Sequence, residues 1–153
     1  MIAGLGVDIV EIDRMAAALE RHPQMRERLF SDAERAYCDK RNRPEIHYAL
    51  RFAAKEAVLK ALGTGFAGMK FKDVEVVRDD GGRPAPRLSG RAAEVASQIG
   101  VREMHLSLSY THTTAVASAV AITSEPEPDE GRESAKRRAA AFRDAKDLID
   151  DLE

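Results

Sequence analysis

The start of the chain alternates between small and apolar residues, which predicts a β-strand over residues 2–10. Successive side chains in a strand point to opposite faces, so Gly4, Gly6 and Asp8 share one face. The other face carries four apolar side chains and is expected to be the core face: Ala3, Leu5, Val7 and Ile9. The glycines leave space beside Asp8, which suits either a ligand site or the close approach of another backbone segment.

Two segments after this strand have the spacing of amphipathic helices. Residues 11–22 form the first, and its apolar stripe comprises Ile12, Met15, Ala16 and Leu19. The second begins in the stretch "FSDAERAYCDK", where Ser31 and Glu34 have the spacing of a capping box. In that pattern each side chain accepts a hydrogen bond from the other residue's backbone, so a helix is expected to start directly after Ser31.

Residues 44–62, "PEIHYALRFAAKEAVLKAL", carry the strongest helix signal in the chain. Pro44 suits a first helical turn because its missing N–H is not needed there, and Gly63 suits a helix end. The expected buried stripe of this helix comprises Ala49, Phe52, Ala53, Ala57, Leu59 and Leu62. The sequence therefore predicts one long helix in the middle of the domain.

Two hairpins are predicted in the second half. The first joins "FKDVEVVRD" to "APRLSG" through a turn in which Gly81 and Gly82 are free to take positive φ. A short helix over "SGRAAEVASQIG" follows, and then a second hairpin of "MHLSLSY" and "AVASAVAIT" closed by "THTT". This order of elements predicts an α+β fold, a small antiparallel-sheet domain with one long helix.

The composition changes after Thr123, and this change predicts the domain organisation. A length of 153 residues favours a single domain, here placed at residues 1–123, followed by a tail. Residues 124–133 are rich in proline and glutamate and are expected to be a linker. Residues 134–153 carry one apolar helical stripe, so they are expected to form an amphipathic helix or a partly disordered tail.

Charge and composition exclude several classes of function. A net charge of −2 gives no global case for binding nucleic acid or an anionic membrane, and no apolar run is long enough to span a bilayer. The chain starts without a basic segment and an apolar signal core, so a cytoplasmic location is expected. The single cysteine, Cys38, excludes an internal disulfide and any zinc site built on several cysteines, and nothing nearby resembles a dedicated base.

Charged side chains interrupt the long helix within three turns: Arg51, Lys55, Glu56 and Lys60. One interpretation is a solvated stripe with an ion pair between Glu56 and Lys60, which are four residues apart. The other is a Mg²⁺ site shared by Asp8 and Glu56, because Mg²⁺ is commonly held by one or two carboxylates together with phosphate oxygens and water. In that case Arg51 and Lys60 would offset phosphate charge.

Five segments in register resemble the holo-acyl-carrier-protein synthases, the short bacterial type of 4′-phosphopantetheinyl transferase. They are "GLGVDIVEIDR", "FSDAERAYC", "RFAAKEAVLKALGTG", "KDVEVVRDDGGRPAPRLSG" and "HLSLSYT", within about residues 1–123. The resemblance implies transfer of the 4′-phosphopantetheine arm of coenzyme A to a serine of apo-acyl carrier protein. The other product is adenosine 3′,5′-bisphosphate, and the reaction supports fatty-acid biosynthesis. It also implies a homotrimer with active sites between subunits.

Roles for individual residues follow from the same resemblance. Asp8 and Glu56 match the Mg²⁺ ligands, and Glu56 also helps to direct the serine proton; Lys60 completes the catalytic set. The positions matched to coenzyme A contacts are Arg51, Lys60, Gly63, Gly65, Gly82, Arg83, Pro84, Ser109 and Tyr110. Arg14 matches the surface that receives the acidic helices of the carrier protein.

One position departs from the family pattern and keeps an alternative open. The family often has histidine after the "S-L-S" run, where this chain has Tyr110, while His112 follows two residues later. Tyrosine has an ordinary pKa near ~10 and is a poor base near neutral pH, so it is expected only to orient the substrate. The alternative function is a catalytically silent protein of the same fold that binds coenzyme A or a nucleotide. An RNA-binding role is disfavoured because aromatic residues make up only 5% of the chain.

Overall fold

The computed structural model of the chain describes residues 1–63, 68–123, 139–141 and 143. The predicted linker, and most of the predicted C-terminal helix, lie outside these residues. Five strands and five helices follow one another in the described part of the chain. They are β1 (Ile2–Glu11), α1 (Ile12–Arg21), α2 (Met25–Leu29), α3 (Asp32–Asp39), α4 (Pro44–Ala61), β2 (Val74–Arg78), β3 (Pro84–Leu88), α5 (Gly90–Gln98), β4 (Glu103–Tyr110) and β5 (Thr114–Ile122).

The strands form two antiparallel sheets. The larger sheet has the order β1–β5–β4, so the first and last strands of the domain lie side by side. The smaller is the two-stranded ribbon of β2 and β3, joined by the predicted turn. Of the two glycines free to take positive φ in this turn, Gly82 does so, with a φ of +77°, and Gly81 does not. The predicted α+β class with antiparallel pairing is confirmed.

Helix α4 is the centre of the domain. It begins at Pro44 and ends before Gly63, which has a φ of +76°, so both predicted boundaries are confirmed. One face of α4 packs against β1 and β5, and another contacts α1, α3 and β2. The predicted stripe is buried except for Phe52, which is half-buried. An almost fully enclosed helix of this kind can act as a rigid support for side chains that point to either side.

The glycines of β1 bring this strand onto α4. A Cβ on Gly4 would lie 1.8 Å from the carbonyl oxygen of Ala61, and one on Gly6 would lie 1.9 Å from that of Ala57. Close backbone approach, one of the two interpretations of these glycines, is therefore confirmed. The predicted core face was wrong, because the helix covers the glycine side. Leu5, Val7 and Ile9 point away from the helix and are 65%, 49% and 65% exposed, and Ala3 is exposed as well.

The remaining helices follow their local signals. The capping box of α3 is present, with the Ser31 hydroxyl accepting from the Glu34 N–H and the Glu34 carboxylate accepting from the Ser31 N–H. The stripe of α1 is buried apart from half-buried Ala16. The short helix α2 was not predicted, since its five residues are too few for a periodic pattern.

Candidate active site

Strand β1 and helix α4 bring three predicted site residues together. The Lys60 ammonium lies 2.9 Å from Oδ1 of Asp8 and 3.0 Å from the carbonyl oxygen of Val7. The Asp8 side chain is 12% exposed, whereas that of Lys60 is 53% exposed. The close approach at Gly6 sets this geometry, because it carries the adjacent part of β1 directly against the last two turns of α4.

The carboxyl of Glu56 lies beside that of Asp8. Burial, the negative charge of Asp8 and a hydrogen bond with the Asp8 side chain all raise the pKa of Glu56, while Lys60 opposes the shift. The interpretation of Lys60 as the intrahelical partner of Glu56 was wrong, since the Lys60 ammonium bonds to Asp8 on the neighbouring strand β1. The result is a pair of facing carboxyls with one ammonium at their edge.

A cavity of about 400 Å³ opens beside this pair. Asp8 and Glu56 line it together with Arg14 of α1, so the residue predicted to receive a carrier protein borders the same cavity. The rest of the wall is mostly apolar: Ile9, Val10, Met15, Ala18, Met25 and Phe52, with Glu11 as the further charged residue. The charged groups of this cavity are thus three carboxyls, those of Asp8, Glu11 and Glu56, and the guanidinium of Arg14.

The donor set fits Mg²⁺. The two carboxyls lie side by side, and burial together with the charge of Asp8 raises the pKa of Glu56, so a cation would stabilise the pair. Among the described residues, no group of three or more histidine, cysteine or acidic side chains is arranged to hold a metal. A site with two carboxylates and room for other ligands suits Mg²⁺, which usually keeps water and substrate phosphate oxygens in its coordination shell.

Other predicted residues line a second cavity, of about 250 Å³. Arg51, Pro84 and Tyr110 belong to this wall, and the cavity shares no lining residue with the first one. Its other lining residues are Tyr37, His47, Leu50, Val76, Val77, Arg78 and Leu108. The lining contains two arginines and no carboxylate, so the second cavity favours an anion.

Three guanidinium groups surround the ring of Tyr37 at this cavity. Their central carbons lie 3.9 Å (Arg51), 4.2 Å (Arg41) and 5.3 Å (Arg78) from the ring centroid. Burial would raise the pKa of Tyr37, but the hydrogen bond from Arg78 and the three positive charges outweigh it and lower the pKa. Burial and the same three charges lower the pKa of His47.

Arg51 is the buried member of this group. It is 6% exposed, and its Nε is buried with no hydrogen-bond partner. A buried donor without an acceptor is costly, and the same residue lines the cavity with its positive charge. Sequence reasoning found Arg51 but missed Tyr37, Arg41 and Arg78. The arginines in "CDKR" and "VVRDD" were the available signal, but nothing in the sequence placed those segments together.

The remaining predicted residues occupy less enclosed positions. The carbonyl of Gly82 accepts a hydrogen bond from Arg78, and the N–H of Arg83 donates to Asp79, so the turn is tied to the second cavity. Gly63 lies at the end of α4, and Gly65 lies outside the described residues. Ser109 is exposed on β4 and lines neither cavity.

Two further expectations concern charged and reactive groups in the core. The solvated-stripe interpretation of the long helix was wrong for Arg51 and Lys55, which are 6% and 0% exposed. Cys38 is completely buried, and burial raises the pKa of its thiol to about 12. A thiol with that pKa is a poor nucleophile near neutral pH, which agrees with the expectation that Cys38 is a bystander.

Comparison with known proteins identifies the family. Residues 4–117 match the model of the 4′-phosphopantetheinyl transferase superfamily. A holo-acyl-carrier-protein synthase of Moorella thermoacetica is 48% identical over 105 residues, which are 69% of this chain and 82% of that protein. The chain therefore belongs to the 4′-phosphopantetheinyl transferase superfamily. Within it, the chain is a transferase of the holo-acyl-carrier-protein synthase type.

Solved structures of the same type agree with the fold. The acyl carrier protein synthase of Plasmodium yoelii with ADP bound has a TM-score of 0.73 and 30% identity, covering 82% of this chain and 98% of that one. The Bacillus anthracis enzyme in complex with CoA (3′,5′-ADP) has a TM-score of 0.66 and 36% identity, covering 81% and 99%. In the described part of the chain, no helix has both the length and the apolar character needed to cross a membrane.

Proposed function

We propose that this protein transfers the 4′-phosphopantetheine arm of coenzyme A to a serine of apo-acyl carrier protein. The products are holo-carrier protein and adenosine 3′,5′-bisphosphate, and the role is the supply of carrier protein for fatty-acid biosynthesis. The observation that carries the proposal is the meeting of Asp8 and Glu56 at one cavity, with the ammonium of Lys60 bonded to Asp8. Membership of the transferase family supports it.

We assign Mg²⁺ to Asp8 and Glu56. When bound there, the ion would supply positive charge for the diphosphate of coenzyme A and for the charge that develops on its bridging oxygen. The two carboxyls face each other, and burial together with the negative charge of Asp8 raises the pKa of Glu56 in the metal-free protein. This arrangement supports a cation as the natural partner of the pair.

The chain's own groups have distinct roles in the transfer. A new bond forms between the carrier serine oxygen and the phosphorus bound to pantetheine, and the bond from that phosphorus to the bridging oxygen breaks. Lys60, at the edge of the acidic pair and half-exposed, is placed to stabilise charge on the phosphates. Glu56 directs the serine proton away from the attacking oxygen.

The second cavity is assigned to the nucleotide end of coenzyme A. Arg51 has an unpartnered donor there, and Pro84 and Tyr110 share its wall. We place Gly82 and Arg83 beside the adenosine, Gly63 and Gly65 near the phosphates, and Ser109 near the arm. The complexes of related enzymes with CoA (3′,5′-ADP) and with ADP support this assignment.

We also propose that the working form is a homotrimer. The outward face of β1 exposes Leu5, Val7 and Ile9, an apolar row that suits burial against another copy. The first cavity, at Asp8 and Glu56, and the second cavity, at Arg51 and Arg78, share no lining residue within one chain. A neighbouring copy that brings its second cavity to the first would complete a site for the whole of coenzyme A.

Arg14 is the proposed contact for the carrier protein, since it borders the acidic cavity from an exposed position on α1. The transferase unit is proposed to be residues 1–123. Deletion of residues 125–153 should leave turnover within about threefold, because every assigned residue lies before Thr123. A loss of turnover or of the trimer on truncation would make the tail part of the assembly.

The deciding experiment is mass spectrometry of an apo-acyl carrier protein incubated with this protein, coenzyme A and Mg²⁺. The carrier should gain the mass of one 4′-phosphopantetheine group, and omission of Mg²⁺ should abolish the gain. Glu56→Gln should lose the activity, whereas Glu94→Gln, an exposed glutamate on α5, is the matched control. Binding of coenzyme A without transfer by the unaltered protein would favour the silent binding protein instead.

A further inference from the structure

Glu34 and Lys55 form a completely buried ion pair that the proposed reaction does not use. The Lys55 ammonium lies 2.7 Å from Oε1 of Glu34, and the two side chains are 0% and 1% exposed. Such a pair is seldom a net source of stability, because desolvation of both charges offsets their attraction. Its directional hydrogen bonds are therefore the property to explain.

Those hydrogen bonds join three elements. Lys55 of α4 donates to the carbonyl oxygens of Val74 (2.6 Å) and Phe71 (3.2 Å). Glu34 of α3 accepts from the N–H of Val76 (3.2 Å) and, with its other oxygen, from the N–H of Ser31 (3.0 Å). Every bond beyond the pair goes to the backbone, and three of the four backbone partners belong to β2 or the turn before it.

The ion pair occupies the edge of the ribbon that has no neighbouring strand. β2 pairs with β3 on one side only. In an antiparallel pair, the N–H and C=O of alternate residues point to the far edge, and Val74 and Val76 are two residues apart. The carboxylate and the ammonium satisfy these groups and so take the place of a third strand. The ribbon is thereby fixed to α4 at a defined register.

We propose that Glu34 and Lys55 are positioning residues for the second cavity, the proposed nucleotide site. This inference rests on the proposed function. β2 contributes Val76, Val77 and Arg78 to that cavity, and α4 contributes Arg51. The wall from β2 and the wall from α4 are held together by the ion pair. Loosening it changes the spacing of Arg78 and Arg51, whereas Asp8 and Glu56 take no part in its hydrogen bonds.

The first test is the kinetics of Lys55→Met, which keeps an unbranched side chain but removes the donor. KM for coenzyme A is expected to rise about tenfold, the effect of losing roughly one well-placed hydrogen bond, with kcat within about threefold. Partial unfolding gives the opposite pattern, because fewer active molecules lower the apparent kcat and do not raise KM. Unchanged KM would overturn the proposal.

Tyr48→Phe is the matched control. It removes a hydrogen bond between α4 and α3, from the Tyr48 hydroxyl to Asp39, without touching β2. It should leave KM unchanged even where it lowers the melting temperature. If Lys55→Met does not fold, Glu34→Gln is the milder variant, because it keeps one acceptor oxygen and places an NH₂ group near the N–H of Val76. KM should then rise about threefold, and no rise would overturn the proposal.

Amide hydrogen exchange separates this inference from the proposed function. In Lys55→Met, peptides covering residues 74–88 should exchange at least about tenfold faster, while β5 is unchanged. If the unaltered protein transfers nothing to a carrier, the proposed reaction is wrong, yet exchange and the affinity for adenosine 3′,5′-bisphosphate still decide the positioning role. Unchanged exchange in the ribbon would contradict it even in an active enzyme.

Discussion

The Lys60 ammonium lies 2.9 Å from Oδ1 of Asp8 and joins the last turn of α4 to the middle of β1. Its second hydrogen bond, to the carbonyl of Val7, fixes the side chain against the strand backbone. The acidic pair therefore has a positive neighbour on the helix but keeps its open side toward the cavity. The protonation of Glu56 is therefore the property that would link the proposed metal binding to stability.

The first prediction is that the metal-free protein loses stability as pH rises above the ordinary carboxyl value of 4.5. The pKa of Glu56 is higher in the folded protein than in the unfolded chain. Between these two pKa values, the folded protein therefore binds more protons than the unfolded chain. The free energy of unfolding then falls as pH rises through this window. Urea unfolding in the presence of EDTA measures the slope, which Glu56→Gln should flatten and Glu94→Gln should not.

The same linkage predicts that acid weakens Mg²⁺ binding. Below the raised pKa of Glu56, the ion must displace a proton, so its apparent affinity should rise by up to about tenfold per pH unit across that window. Titration calorimetry of Mg²⁺ at several pH values checks this, with proton release read from buffers of different ionisation heats. Affinity that does not change with pH would mean that Glu56 is not a ligand.

The second prediction concerns the uncovered face of β1. Val7→Lys places a charge in the middle of the apolar row, so the proposed trimer should dissociate to a species of 16.8 kDa in light scattering. Transfer should fall on the order of a hundredfold, because the proposed trimer is what joins the two cavities. Ile99→Lys, a similar change at an exposed residue after α5, should leave the trimer intact. A trimer that survives Val7→Lys would place the interface elsewhere.

The third prediction is that Gly6→Ala destabilises the domain by more than about 3 kcal/mol. The added Cβ would lie 1.9 Å from the carbonyl oxygen of Ala57, and neither backbone can move without separating β1 from α4. Gly81→Ala is the control, because its Cβ would meet only the flexible side chain of Asp79 at 3.3 Å. Urea unfolding of both variants tests the difference, and equal stabilities would contradict the close approach.

The fourth prediction separates orientation from proton transfer at Tyr110. This residue lines the second cavity and is 55% exposed. If it only orients the substrate, Tyr110→Phe should keep kcat within about threefold. Glu56→Ala should lose at least about a hundredfold, since it removes a proposed metal ligand. Steady-state rates of carrier modification compare the two variants. Equal losses would show that the phenol takes part in the chemistry.

Sequence reasoning succeeded where the determinants are local. The start of α3 follows from Ser31 and Glu34, three residues apart, and the ends of α4 follow from Pro44 and Gly63. Both signals act within a single turn, so they do not depend on what packs nearby. The meeting of Asp8 with Glu56 was also anticipated, since it needs only that the first strand pack against the long helix.

Sequence reasoning failed where the outcome depends on which elements pack together. The alternation of β1 separates two faces correctly but does not say which face meets the helix, and the apolar one proved to be outside. The burial of Lys55 depends on Glu34, 21 residues earlier in the chain. The group around Tyr37 depends on Arg78, 41 residues later. Such pairings need the tertiary structure.

The contact of β1 with α4 at Gly4 and Gly6 has a consequence for re-engineering. Main chain rests on main chain there, so the spacing between Asp8 and Glu56 is insulated from most exchanges of core side chains. A designer who wishes to admit a larger cation would gain little from repacking the interior. The more useful change is to the length of the two acidic side chains themselves, because the strand and the helix would keep their positions.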